Sequence, residues 1–93
     1  MQMSSLEKAF GQAMRERRRE LGISQEELSF RANVHRTYIS QLERGIKSPS
    51  LKVIELIAQA LNMSGSRLVE RAENLFNVSS SHADTTTSTD PAN

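Results

Sequence analysis

Between Asn33 and Gly45 the chain reads NVHRTYISQLERG, and four of its side chains offer hydrogen bonds of different kinds. Arg36 carries a planar fork of donors that fits two neighbouring acceptors at once. Gln41 has a carboxamide that both donates and accepts, Thr37 a hydroxyl beside a methyl, and Ser40 a hydroxyl alone. Val34, Ile39 and Leu42 recur through the same segment at the spacing of a core-facing helix, which leaves the four polar residues on the other side. This is chemistry for reading a polar surface by complementary hydrogen bonds, with no bond made or broken.

The rest of the chain supplies little for catalysis. Gly11, Gly22, Gly45 and Gly65 are scattered and form no phosphate loop, and no serine sits in a Gly-x-Ser-x-Gly elbow. There are two histidines, His35 and His82, and no pair of them shares a helix face from which to ligate a metal. The expectation is a protein that is not an enzyme and takes no cofactor, metal or small-molecule ligand.

Ninety-three residues make one domain at most, small enough that association with a second copy would help its stability. The absence of cysteine excludes disulfides and fits a reducing compartment. Nothing resembles a signal peptide or a membrane span, so a cytoplasmic location is expected. The net charge of +1 is unevenly distributed. Residues 79–93, SSSHADTTTSTDPAN, hold Asp84 and Asp90 and no Lys or Arg, so residues 1–78 carry twelve basic and nine acidic groups, a net of +3. Without a large apolar side chain that tail cannot offset its ordering entropy by burial, and it is expected to be disordered. The domain is therefore expected to occupy residues 1–78.

Helical periodicity runs through those 78 residues with no competing strand pattern. Leu6, Phe10, Ala13 and Met14 line a first helix from Ser5 to about Glu20, extended by Leu21 and stopped at Gly22. Ser24-Gln25-Glu26-Glu27 is a capping box, in which the Ser24 hydroxyl accepts from the Glu27 amide and the Glu27 side chain reaches back. It opens a second helix that buries Leu28 and Ala32. Asn33 tolerates a left-handed turn, His35 is placed to cap a third helix from Arg36 to Glu43, and Gly45 stops it. Ser50 caps a fourth helix from Leu51 to about Leu61, with Leu51, Ile54, Ile57, Ala58 and Leu61 inward. A last helix from about Ser64 to Leu75 carries more apolar residues than one core-facing stripe requires.

Two short helices joined by a turn of about three residues, the second apolar on one side only, have helix-turn-helix geometry. The segment Gln25 to Arg44 resembles the helix-turn-helix of the lambdoid phage repressor and Cro class, the XRE family. The resemblance runs from about Phe10 to Leu68. It is carried by Phe10-Gly11, Arg18, Gly22, Ser24 to Leu28, Val34, Ile39-Ser40, Leu42 to Gly45, Pro49-Ser50-Leu51, Ala58 and Leu61. Ser29 and Asn33 stand where the family has a small Ala and a Gly, and both suit the physical demand at their positions. The string His35-Arg36-Thr37-Tyr38-Ile39-Ser40 is similar to the controller proteins of restriction–modification systems, which regulate their own operon as dimers. The resemblance implies an all-α, compact five-helix, lambda-repressor-like domain that binds double-stranded DNA.

The first turn of a recognition helix points into the major groove, which assigns base contacts to Arg36, Thr37, Ser40 and Gln41. Arg36 suits guanine O6 and N7, Gln41 adenine or a phosphate, and Thr37 the methyl of thymine. Gln25 at the start of the second helix is expected on a phosphate, as the family's equivalent Gln is, with Arg44, Lys47 and Ser48 on the other flank. Three roles are open to Tyr38: packing under the recognition helix, touching phosphate or thymine, and lying near a dimer dyad. By resemblance, Arg18 pairs with Glu43 and braces the first helix against the third. Arg15, Arg17 and Arg19 serve as a solvated helix end matched to the helix dipole, or add long-range attraction. In the last helix Leu68 and Ala72 are expected inside, and Val69, Leu75 and Phe76 in a homodimer seam. The rival from another class is a protein-interaction module, such as an antitoxin that clasps a toxin, with DNA binding secondary.

Overall fold

Each turn of this chain is fixed by a short polar device, and the helices lie between them. The computed structural model describes residues 5–81, with side chains through Asn77; it contains α1 Leu6–Glu20, α2 Gln25–Ala32, α3 Arg36–Glu43, α4 Leu51–Ala60 and α5 Gly65–Ser81. Serine hydroxyls cap four of the five, accepting from the amides of Lys8 (Ser5, 3.1 Å), Glu27 (Ser24, 3.0 Å), Val53 (Ser50, 3.2 Å) and Arg67 (Ser64, 3.2 Å). Each satisfies one donor that the first helical turn leaves without a partner. The capping box at Ser24 is half formed. Its return contact is replaced by a pair one turn on, where Arg31 Nε donates to Glu27 Oε2 at 3.0 Å.

The core is one cluster to which every helix contributes, centred on Met14, Leu28, Ile39, Leu42, Ile57, Leu61 and Leu68, all fully buried. α1 packs against both α3 and α5, α2 against α3 and α4, and α4 against α5. The first and last described helices are thus held together, and Arg71 of α5 places its two terminal guanidinium nitrogens on the Glu20 carboxylate of α1. Arg17 closes the same end of the molecule by donating to the Leu61 carbonyl at the terminus of α4 (3.0 Å).

Two expectations about the core need correction. Leu51, expected inward, is 86% exposed, because the first turn of α4 projects past the helices beneath it and cover grows only toward Ile57. Leu6 at the start of α1 is likewise open, at 44%. At the other end α5 does not stop near Leu75 but continues to Ser81, since neither glycine nor proline interrupts it there. That is three residues past the boundary drawn at Val78; the remainder of the expected tail, 82–93, lies outside the described residues.

α1 and α3 approach so closely that only glycine fits between them. A Cβ built on Gly11 would lie 2.4 Å from the Leu42 carbonyl oxygen and 2.5 Å from that of Glu43. These are backbone atoms of the last turn of α3 and cannot rotate aside, so the crossing must open. Gly11→Ala should cost about 1–3 kcal/mol of stability through overpacking, although alanine is the better helix former. Urea unfolding of the two proteins measures it, and a Gly11→Ala variant as stable as the parent would show that the crossing is loose.

Candidate nucleic-acid interface

The third helix is built between two turn devices that leave its outer side free. Asn33 closes α2 in the left-handed conformation (φ 56°), with its amide on the Phe30 carbonyl and the Val34 amide on that of Ser29. Next along the chain, His35 Nδ1 accepts the Thr37 amide at 3.1 Å, so this imidazole is the expected cap. Gly45 (φ 74°) ends the helix and lets the chain pass over Lys8 of α1, where a side chain would collide.

Within α3, Ile39, Leu42 and Glu43 are buried. At about 100° per residue the side opposite them is centred on Thr37, Gln41 and Arg44, with Arg36 and Ser40 on one flank and Tyr38 on the other. Arg36, Thr37 and Arg44 are exposed, while Ser40 and Gln41 are half-buried. The four residues read as base contacts therefore share one accessible surface, and Arg44, read as a phosphate contact, lies near its middle. Tyr38 is half-buried and packs against the core, which is the first of its three open roles.

Glu43 is the buried acid of the domain, its side chain at 0% exposure, and it gathers groups from two other helices. Arg18 donates from Nε to Oε2 (2.7 Å) and from Nη2 to Oε1 (3.0 Å), and its third nitrogen holds the Ile23 carbonyl at 3.0 Å. Gln25 Nε2 donates to Glu43 Oε1 at 3.0 Å, and Arg15 Nε lies 3.5 Å from the same oxygen. Burial alone pushes the Glu43 carboxyl up. The hydrogen bonds from Arg18 and Gln25, with the charges of Arg18 and Arg15, more than offset that and hold it below the usual carboxylate range. The same pair raises Arg18, through its hydrogen bond to Glu43.

The remaining flank is mixed. Lys47 is exposed beyond α3, whereas the neighbouring Ser48 donates its hydroxyl to Glu7 Oε2 of α1 at 2.9 Å. Ser48 thus stands beside an acid, which weakens it as an anion contact. Gln25 has one amide hydrogen committed to Glu43 and keeps the other, together with its carbonyl oxygen. Val69, Leu75 and Phe76 do not form one strip. Val69 faces Ile54 in a groove between α4 and α5, Leu75 lies beside Glu16 and Arg71 toward α1, and all three pack partly on the core. Sequence reasoning missed Leu51 and Phe30 as exposed apolar residues, the latter 83% open on the outer face of α2. It also missed Arg15 as a neighbour of Glu43, although Arg15 falls three residues before Arg18, on the same helical side.

A capped helix with a free polar surface, locked on its inner side and preceded by a three-residue turn, defines a helix-turn-helix DNA-binding transcriptional regulator. The chain belongs to the helix-turn-helix family of XRE type: the family model HTH_3 matches residues 14–68, more than half of its length. It is 44% identical over 62 residues to control protein C.BamHI of Bacillus amyloliquefaciens, covering 66% of this chain and 76% of that one. Among solved structures it is similar to the restriction–modification controller C.AhdI of Aeromonas hydrophila (TM-score 0.65, 39% identity, 67% of this chain and 94% of that one). It is also similar to the controller C.Esp1396I, solved as a tetramer on its natural 35 base-pair operator (TM-score 0.71, 31% identity, 80% and 97% covered). Among the described residues no cluster of His, Cys, Asp and Glu is arranged to hold a metal, and no helix is long and apolar enough to cross a membrane.

The Glu43 cluster makes stability depend on pH in a definite direction. Its carboxyl titrates lower folded than unfolded, so its contribution is complete above the ordinary glutamate range and is lost as pH falls through the folded value. Glu43→Gln leaves Arg18 facing a neutral partner and should cost on the order of 3 kcal/mol at neutral pH. Below the folded titration the difference between the two proteins should shrink. Denaturant midpoints from about pH 7 down to about pH 3, a range that spans the ordinary glutamate value, give the comparison. A gap that stays constant across that range would mean the carboxylate charge is not what holds the cluster.

Proposed function

We propose that the protein is a sequence-specific regulator that binds a palindromic operator as a homodimer, on the pattern of a restriction–modification controller. The accessible surface of α3 carries the reading: Arg36, Thr37, Ser40 and Gln41 meet base edges, and Gln25, Arg44 and Lys47 hold phosphates on either side. Ser48 and Tyr38 take lesser parts, the one beside Glu7 and the other under the helix. The two kinds of contact have different consequences. Base contacts discriminate sequences; phosphate contacts strengthen binding to all of them.

The homodimer rests on the apolar surface that α4 and α5 leave open. Leu51 stands at its rim, while Ile54 and Val69 line a groove floored in part by Gly65. A second copy related by a two-fold axis would place each Leu51 near the other's groove, with Lys52 and Glu55 able to pair across the axis. This moves the seam toward α4: Val69 stays in it, Leu75 faces α1 instead, and Phe76, one helical repeat of seven beyond Val69, extends it. Two-fold symmetry then implies half-sites with centres about 10 base pairs apart, or a multiple of that. Regulation follows from occupancy in the cytoplasm: a covered promoter excludes polymerase, and a dimer beside one can recruit it. The controllers C.BamHI and C.AhdI support this reading through similarity across about two thirds of the chain.

Selection of bound duplexes from a random pool tests the proposal, and the expected winner is a palindrome bound far more tightly than random DNA. Arg36→Ala should then cost about 1–3 kcal/mol on that operator and relax the preference at one base pair. Arg44→Ala and Lys47→Ala should weaken all duplexes alike. Leu51→Asp should give a folded monomer by analytical ultracentrifugation, with operator affinity greatly reduced. Failure to select any sequence, together with a monomeric parent, would favour the antitoxin-like module, in which α5 serves a different protein.

A further inference from the structure

The cluster at Glu43 holds two guanidiniums and one carboxylate. Arg18 meets that carboxylate with both ends of its fork and is largely buried, so the two charges cancel. Oε1 already accepts two hydrogen bonds of 3.0 Å, from Arg18 Nη2 and Gln25 Nε2, which fills its two lone-pair directions. Arg15 can therefore approach only to 3.5 Å, as an ion pair, and among the described residues it makes no hydrogen bond. Its guanidinium is oriented by charge, its donors are unspent, and it is 34% exposed.

Arg15 shares its oxygen of Glu43 with Gln25, the first residue of α2. Around that residue the Ser24 hydroxyl takes the Glu27 amide, and the helix begins with Leu28 bonding back to Ser24. No hydrogen bond within the described chain occupies the amides of Gln25 and Glu26. A surplus guanidinium from α1 and a carboxamide from α2 with a hydrogen to spare thus meet at one oxygen of Glu43, and the first two amides of α2 have no partner of their own. All are donors. The group that fits them is a tetrahedral monoanion with several acceptor oxygens.

We propose that Arg15 is a further phosphate-contacting residue of the DNA interface, positioned by Glu43 so that it and Gln25 clasp one backbone phosphate from two helices. The proposal rests on the DNA-binding reading above and adds to it a role for α1. Glu43 acts through its neighbours: it orients Arg15 and Gln25 and touches no nucleic acid itself.

The experiment is a titration of the full-length protein with the selected operator and with a random duplex at several salt concentrations. The parent is compared with Arg15→Gln and with Arg67→Gln, which makes the same charge change on α5 outside the Glu43 cluster. Arg15→Gln should lower the slope of log K against log salt by about 1.8 for the bound dimer, about 0.9 for the one phosphate held by each copy. It should weaken operator and random duplex by the same factor and lower the thermal midpoint far less than Glu43→Gln does, while Arg67→Gln changes the slope much less. An unchanged slope, or one altered equally by Arg67→Gln, would overturn the proposal and leave Arg15 as a brace or a diffuse charge. If the parent itself shows no preference for any operator, the regulator reading fails first and this contact with it.

Discussion

The mutual placement of the first three helices is referred to one carboxylate. Glu43 closes the third helix, and its burial is tolerable only because α1 brings Arg18 to it and α2 brings Gln25. Removing Arg18 leaves the buried carboxylate without its charge partner, and removing Gln25 takes away one of its hydrogen bonds, so the three helices are held in mutual register as well as in contact. The apolar core beneath does not impose that register by itself, since hydrophobic contacts are non-directional. Gly11 sets the distance at which α1 crosses the end of α3, and the ion pair sets the angle. Together they fix the platform from which the α3 surface is presented.

The placement of charge shows how a nearly neutral protein can present a locally basic surface. Arg17, Arg18, Arg31 and Arg71 are engaged with carboxylates or carbonyls inside the fold or along its helices. They contribute architecture and little field. Arg36, Arg44 and Lys47 extend from α3 and the turn after it, where they are exposed. Net charge counts both kinds alike and so understates the local potential on one side of the molecule.

Much of this was legible in the sequence. Ser5, Ser24, Ser50 and Ser64 each sit one residue before a helix, Asn33 and Gly45 mark the turns, and the periodic apolar residues give the inward side of α1, α2 and α3. What was not legible depended on where helices end in space. Leu51 has the same spacing as its buried neighbours and is exposed because α4 overhangs. Glu27 has the spacing of a reciprocal cap, yet Arg31 one turn on offers it a charge. The stripe of α5 could be counted but not divided, since whether Val69 and Leu75 face the same neighbour is settled by the crossing of α1 and α4 beneath them. The same holds for Arg15: three arginines surround Arg18, and only the fold tells which of them reaches Glu43.

The packing of α1 on α5 has a temporal side. During synthesis α1 emerges well before α5, the helix that packs most extensively on it. Until then α1 has only its seam with α3 to rest on, and the Glu20 carboxylate lacks the Arg71 fork that joins the two ends. A nascent chain that already contains its whole helix-turn-helix is therefore still without a stable platform for it. The helix-turn-helix gains its firm platform only once α5 has followed it, and a chain cut short before α5 would be a loosened fragment rather than a half-working competitor.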